Sequence, residues 1–112
     1  MSDVVLHNID AEEGVLGGIL LDPSAISIVA NIVTPQAFYI TAHQRIYRAA
    51  LELHHKNKPT DLMSVTTWLN DHKQLEKVGG QSKLAQLLER TVSAVNIDRY
   101  AELILDKYQR RH

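Results

Sequence analysis

The stretch NIDAEEGVLGGILLDP, residues 8 to 23, decides how this chain reads. It opens with acids and runs into an apolar segment carrying Gly17 and Gly18 side by side. As a helix it has Asn8 or Asp10 for a side-chain cap, and Asp10, Glu12 and Glu13 fall where the helix dipole favours negative charge. Val15, Leu16, Ile19 and Leu20 recur at helical spacing and form one buried stripe. The glycines resist this reading, because each costs up to about 1 kcal/mol relative to Ala in a helix interior. Gly14, Gly17, Gly18 and Leu21 fall roughly along one side, where another helix or a partner can approach closely. The plainer reading is two glycines tolerated inside one packed helical domain.

Outward from that stretch, residues 1 to 7 show no pattern and read as a flexible lead-in. Asp22-Pro23 is a stop and restart, with Asp as cap and Pro at the first position of a short second helix. Ile26, Val29, Ala30 and Val33 form its inner face. Thr34-Pro35 repeats the device and presents Phe38 and Tyr39, two rings expected as core anchors. Thr41 to Gln44 has the form of a capping box and opens the clearest helix. There His43, Ile46, Tyr47, Ala50 and Leu51 or His54 face inward, and the helix ends near Asn57. Asp61, or Thr60 beside it, caps a fourth helix with Leu62, Val65 and Leu69 inside and Trp68 at the margin. Leu75 pins the connector that follows. Gly79-Gly80 turns into a fifth helix carrying Leu84, Leu87, Leu88 and Thr91 or Val92. Asn96 caps a sixth, with Ile97, Tyr100, Ala101, Ile104 and Tyr108 inward and Arg110 and Arg111 at its carboxyl end. No run alternates with the period of a strand. The expected fold is all-α, a compact bundle of about six short helices.

At 112 residues the chain reads as one domain able to bury its own core. It has no cysteine, which removes disulfides and thiolate zinc sites and suits a reducing cytoplasm. Its longest apolar run, inside residues 15 to 21, is far short of the roughly 20 residues of a membrane span. Charge is uneven: residues 1 to 44 hold five acids and no Lys or Arg, and all 12 basic residues follow. The amino-terminal part is therefore a negative surface that repels nucleic acid and steers a basic protein partner towards it.

The residues offer little catalytic chemistry. There is no GxxxxGK[ST] phosphate loop, no GxSxG elbow and no HExxH zinc helix. His54 and His55 are adjacent and diverge on a helix, so they do not chelate one ion, and no metal site is expected. His43 reads as a hydrogen-bonded core histidine. Glu12 and Glu13 also diverge, and a solvated helix start suits them better than an acid/base couple. The tight basic pairs are Lys56 with Lys58 and Arg110 with Arg111, without interleaved aromatics, so direct DNA binding is expected to be weak at most.

Five pieces in register, HNIDAEEGVLGGILLDP, TPQAFYITAHQRIYRAALEL, PTDLMSVTTWLND, LEKVGG and SAVNIDRYAELI, resemble the amino-terminal domain of DnaB, the bacterial hexameric replicative helicase. The resemblance implies an assembly and primase-docking domain over residues 8 to 112, preceding a linker and a RecA-like ATPase domain not present in these residues. ATP and Mg would belong to that absent domain, with no cofactor and no catalysis in this one. The implied partners are the helicase-binding domain of primase, other copies of the helicase paired as dimers within a hexameric collar, and a helicase loader, with no membrane. The implied setting is the bacterial cytoplasm at the replication fork. Asp10, Glu12 and Glu13 are then candidate partner-binding residues, expected to stay exposed. Lys83, which stands where relatives often carry Tyr, is another. Gly14, Gly17 and Gly18 are candidates for close helix packing. A free-standing adaptor or loader-binding protein sharing the fold is the alternative, separated from the first reading by whether the reading frame continues past His112.

Overall fold

The computed structural model describes the backbone of residues 2 to 111 and the side chains of residues 9 to 111. Six α-helices follow one another: α1 Ser2–Leu21, α2 Ile26–Ala30, α3 Thr41–His55, α4 Leu62–Asp71, α5 Gly80–Glu89 and α6 Ile97–Arg111. Single 3-10 turns at Pro23–Ala25, Pro35–Ala37 and Glu76–Val78 lie in three of the five connections, and no strand occurs among the described residues. The all-α bundle expected from periodicity is the fold found.

Helix α1 is the spine, in contact with α3, α5 and α6. It begins at Ser2, so the backbone of residues 2 to 7 is helical where an unpatterned lead-in was expected, while Met1 lies outside the described residues. Asn8 and Asp10 therefore sit inside the helix and neither caps it. Val15, Leu16, Ile19 and Leu20 are all buried, as their spacing requires. The Thr60 hydroxyl donates to the Ile19 carbonyl at 3.0 Å and ties the start of α4 to this stripe.

Local chemistry explains some helix ends, but Asp61, at the cap position of α4, makes no side-chain cap bond. Asp22 caps the first 3-10 turn by accepting from the Ser24 N–H at 3.2 Å, with Pro23 following. After α3, Asn57 takes φ 59°, and the Lys58 N–H bonds the Leu53 carbonyl at 2.8 Å, a closure that satisfies the last turn. Gly79 at φ 105° does the same before α5, where the Gly80 N–H reaches the Leu75 carbonyl at 2.9 Å.

Four placements differ from expectation. Phe38 is buried, but Tyr39 is 55% exposed, because the extended backbone at Phe38 sends neighbouring side chains opposite ways. Ala30 is exposed, and Ala25 in the preceding turn takes the inner position. Val92 is 95% exposed, since α5 has already ended at Glu89. Tyr100 is 41% exposed, lying over Gly14 at the surface of the α1 and α6 contact.

The glycines of α1 sit at that contact and the neighbouring one. A methyl group on Gly17 would collide with the Thr91 hydroxyl and lie 2.6 Å from the Leu87 carbonyl, so α5 crosses there against bare backbone. On Gly18 it would lie 2.8 Å from Cδ1 of Ile97 at the start of α6. On Gly14 it would meet only the Tyr100 ring, at 3.1 Å, and that half-exposed ring can swing away. Gly17→Ala is therefore expected to lower stability by about 1 to 3 kcal/mol despite its gain in helix propensity. Gly14→Ala is expected to be neutral or slightly stabilising. Thermal melts followed by circular dichroism check both, and equal melting temperatures for the two variants would refute the crossing geometry.

Candidate functional site

The acids of α1 do not form one exposed cluster. Asp10 is exposed, Glu13 is mostly covered and Glu12 is 0% exposed. Glu12 cannot be a docking residue: it points into the core, and its carboxylate is used by the chain itself. One oxygen accepts from the Tyr39 N–H at 2.6 Å; the other accepts from the Ile40 N–H at 3.3 Å and lies 2.7 Å from Nδ1 of His43. His43 is buried, as a hydrogen-bonded core histidine should be.

This contact replaces the capping box expected at Thr41 to Gln44. The residue preceding α3 is Ile40, which has no side chain able to cap. In a capping box the third helical residue returns to the cap N–H. Here that N–H is taken by Glu12 from another helix, and the third helical residue, His43, binds the same carboxylate. Gln44 reaches back to the Phe38 carbonyl at 2.7 Å instead. A negative charge at the amino end of α3 also suits its dipole. The pairing satisfies a buried polar group that would otherwise be costly.

Glu13 turns towards α5. Its carboxylate accepts from Nζ of Lys83 at 2.8 Å and from Nη1 of Arg90 at 3.0 Å. Partial burial opposes ionisation of Glu13 and is the largest single influence on it. The Lys83 hydrogen bond and charge, together with Arg90 and the more distant His43, outweigh that and hold its carboxyl below the ordinary value. Lys83, expected to be available to a partner, is thus engaged within the domain. Arg90 had no signal in the sequence beyond being a lone base after an apolar stripe.

Above this ion triad lies a recess of about 420 Å³ between α1, α5 and α6. Buried Ala11 and Leu87 form its base, and exposed Asp10, Arg90 and Tyr100 its rim. A second recess of about 430 Å³, lined by Asn96, Arg99, Tyr100 and Leu103, adjoins it and shares Tyr100 and Leu103. This second recess is a shallow surface on α6 alone, whereas the first is an open groove with an apolar base and charges of both signs about it. Such a surface suits a protein segment better than a small molecule. Among the described residues no group of three or more His, Cys, Asp or Glu is placed to hold a metal ion, and no helix is long and apolar enough to cross a membrane.

The fold is that of a compact helical module with one open groove between α1, α5 and α6. Residues 4–106 match the DnaB-like helicase N-terminal domain, and the chain belongs to that family. It is 60% identical over 105 residues to the replicative DNA helicase DnaB of Nostoc sp., covering 94% of this chain and 12% of that protein. It is 39% identical to the DnaB of Geobacillus stearothermophilus, covering 90% of this chain and 22% of that protein. The chain thus spans under a quarter of the length of these relatives. Among solved structures, the N-terminal domain of DnaB helicase from Mycobacterium tuberculosis superposes with a TM-score of 0.88 at 35% identity, over 92% of this chain and 75% of that one. The corresponding domain from Helicobacter pylori has the same fold, with a TM-score of 0.80 at 24% identity over 98% of this chain and 85% of that one, and is described with its interactions with primase.

Two outcomes test this site. Glu12→Lys removes one partner of a buried pair and inserts a charge of the wrong sign, so it is expected to cost at least about 3 kcal/mol in urea unfolding. A wild-type midpoint would refute the burial of Glu12. Because the Glu13 carboxyl is held below its unfolded value, its contribution is present above about pH 4.5 and is lost as pH falls through the lower, folded value. The stability of wild type should therefore fall in that acid range more steeply than that of Glu13→Gln. Parallel pH profiles would count against the ion triad.

Proposed function

We propose that this chain is the non-catalytic amino-terminal module of a replicative DNA helicase, which helps build the hexameric collar and receives the helicase-binding domain of primase. ATP hydrolysis with Mg and the unwinding of duplex DNA would belong to an ATPase domain elsewhere in the parent protein. Membership in the DnaB-like N-terminal family supports the module, and the groove supports the docking role. The carrying observation is that exposed Asp10 stands on the rim of an open groove with Arg90 and Tyr100, above a base of buried apolar residues. The structural relative described with primase supports the choice of partner. Other copies of the helicase and a loader are the further partners proposed, in the cytoplasm at the replication fork. With Glu12 internal and Glu13 paired, Asp10 is the acid left to meet a basic surface.

Isothermal titration of the chain with the helicase-binding domain of its cognate primase, at low and moderate salt, tests the docking role. Asp10→Lys is expected to weaken binding about ten-fold, equivalent to about 1.4 kcal/mol. As an exposed substitution it should change stability by no more than about 0.5 kcal/mol. Absence of heat at low salt with both proteins folded would remove primase docking and leave the family assignment standing.

A further inference from the structure

The ion triad beside the groove is not electrically neutral. A single carboxylate, that of Glu13, meets two cations, Lys83 at 2.8 Å and Arg90 at 3.0 Å, so one positive charge is left over. The Lys83 side chain is 26% exposed and that of Arg90 60%, which puts the accessible part of this surplus at the guanidinium on the rim. Nη1 is the atom that Arg90 gives to Glu13, and a guanidinium presents five donors in a planar fork. Donors thus remain for a second carboxylate, the group that fork fits best. Asp10, exposed on the same rim, carries the opposite charge.

Between these charges the recess is apolar, lined by Ala11, Leu87 and Leu103, with the Tyr100 ring lying over Gly14. An occupant must cover that surface without stranding its own backbone. No strand occurs among the described residues, so an extended segment finds no sheet edge there, and its N–H and C=O groups would face apolar side chains. A helix bonds its own backbone and offers an apolar stripe. A polyanion would be repelled by Asp10, and a purely basic segment by the surplus charge at Arg90.

We propose that the groove takes an amphipathic helix of its partner, whose apolar stripe lies on Ala11, Leu87 and Leu103 while one carboxylate joins Arg90 and one base meets Asp10. This rests on the reading of the groove as a protein-docking surface and specifies what fills it. Arg90 then serves two carboxylates, holding α5 to α1 through Glu13 and receiving the acid of the incoming helix. The mixed pair of rim charges selects against helices whose flanking charges are all of one sign, which would bring a like charge to one of the two positions.

Chemical-shift titration of the whole isotope-labelled chain tests this with three stapled helical peptides that share one leucine face. The first flanks that face with one Glu and one Lys, the second with two Lys and the third with two Glu. The mixed peptide is expected to bind about five-fold more tightly than either of the others, the scale of one rim charge pair, and to move the amides of Ala11, Gly14, Leu87 and Leu103. Arg90→Gln, which leaves Glu13 paired with Lys83, should erase the preference over the two-Lys peptide. Asp10→Asn should erase the preference over the two-Glu peptide. The proposal is overturned if a uniformly charged peptide binds as tightly as the mixed one, or if no peptide moves those amides at millimolar concentration. The stated ranking together with a failed primase titration would uphold the helix site and remove primase as its occupant.

Discussion

The buried carboxylate of Glu12 is the constraint on which the other contacts depend. A carboxyl far from water is tolerated only where hydrogen-bonding partners surround it. Two backbone N–H groups and the His43 ring meet that demand, and all three belong to the segment that opens α3. Helix α1 and the start of α3 are therefore locked in one relative position. An apolar contact could slide by a fraction of a turn; a carboxyl bonded to two backbone N–H groups and to the His43 ring is held in register. The same bond lets α3 begin at Ile40 and Thr41 without a capping side chain of its own.

The opposite side of α1 is fixed by the absence of side chains. At Gly17 the carbonyl of Leu87 comes so close that even a methyl group would clash, and at Gly18 the Ile97 side chain fills the space. The propensity cost of glycine in a helix is offset by this close approach. Glu13, between the two faces, then draws in Lys83 and Arg90 and aligns α5 along α1. One polar cluster and one small-residue face thus place α3, α5 and α6 around a single helix.

Helix number and the apolar stripes were legible because a 3.6-residue period is a property of the chain alone. Val15, Leu16, Ile19, Val65, Leu69, Leu84 and Leu87 all fall inside as spacing requires. The role of Glu12 is hidden by its charge, which ordinarily marks an exposed residue. Yet Glu12 precedes Val15, Leu16 and Ile19 by three, four and seven residues, which puts it on the buried stripe. That spacing was the available signal. The capping box at Thr41 failed for a related reason: the backbone N–H groups there are satisfied by a residue 27 and 28 positions away, which no local pattern contains. Arg90 acts through its tertiary contact with Glu13, so nothing in its neighbourhood marked it.

Glu12 and Glu13 show why adjacency in sequence is a poor guide to shared function. Neighbours on a helix diverge by about 100°, so one acid faces α3 and the other α5. Asp10, four residues before Gly14, lies on the groove side of α1 and remains open to solvent. The three acids of this stretch thus divide into a core anchor, an internal clamp and a surface charge. A loss of partner binding on changing Glu12 would therefore report a disturbed domain, and on changing Glu13 a loosened α5. Only at Asp10 does lost affinity without lost stability speak directly to what the groove receives.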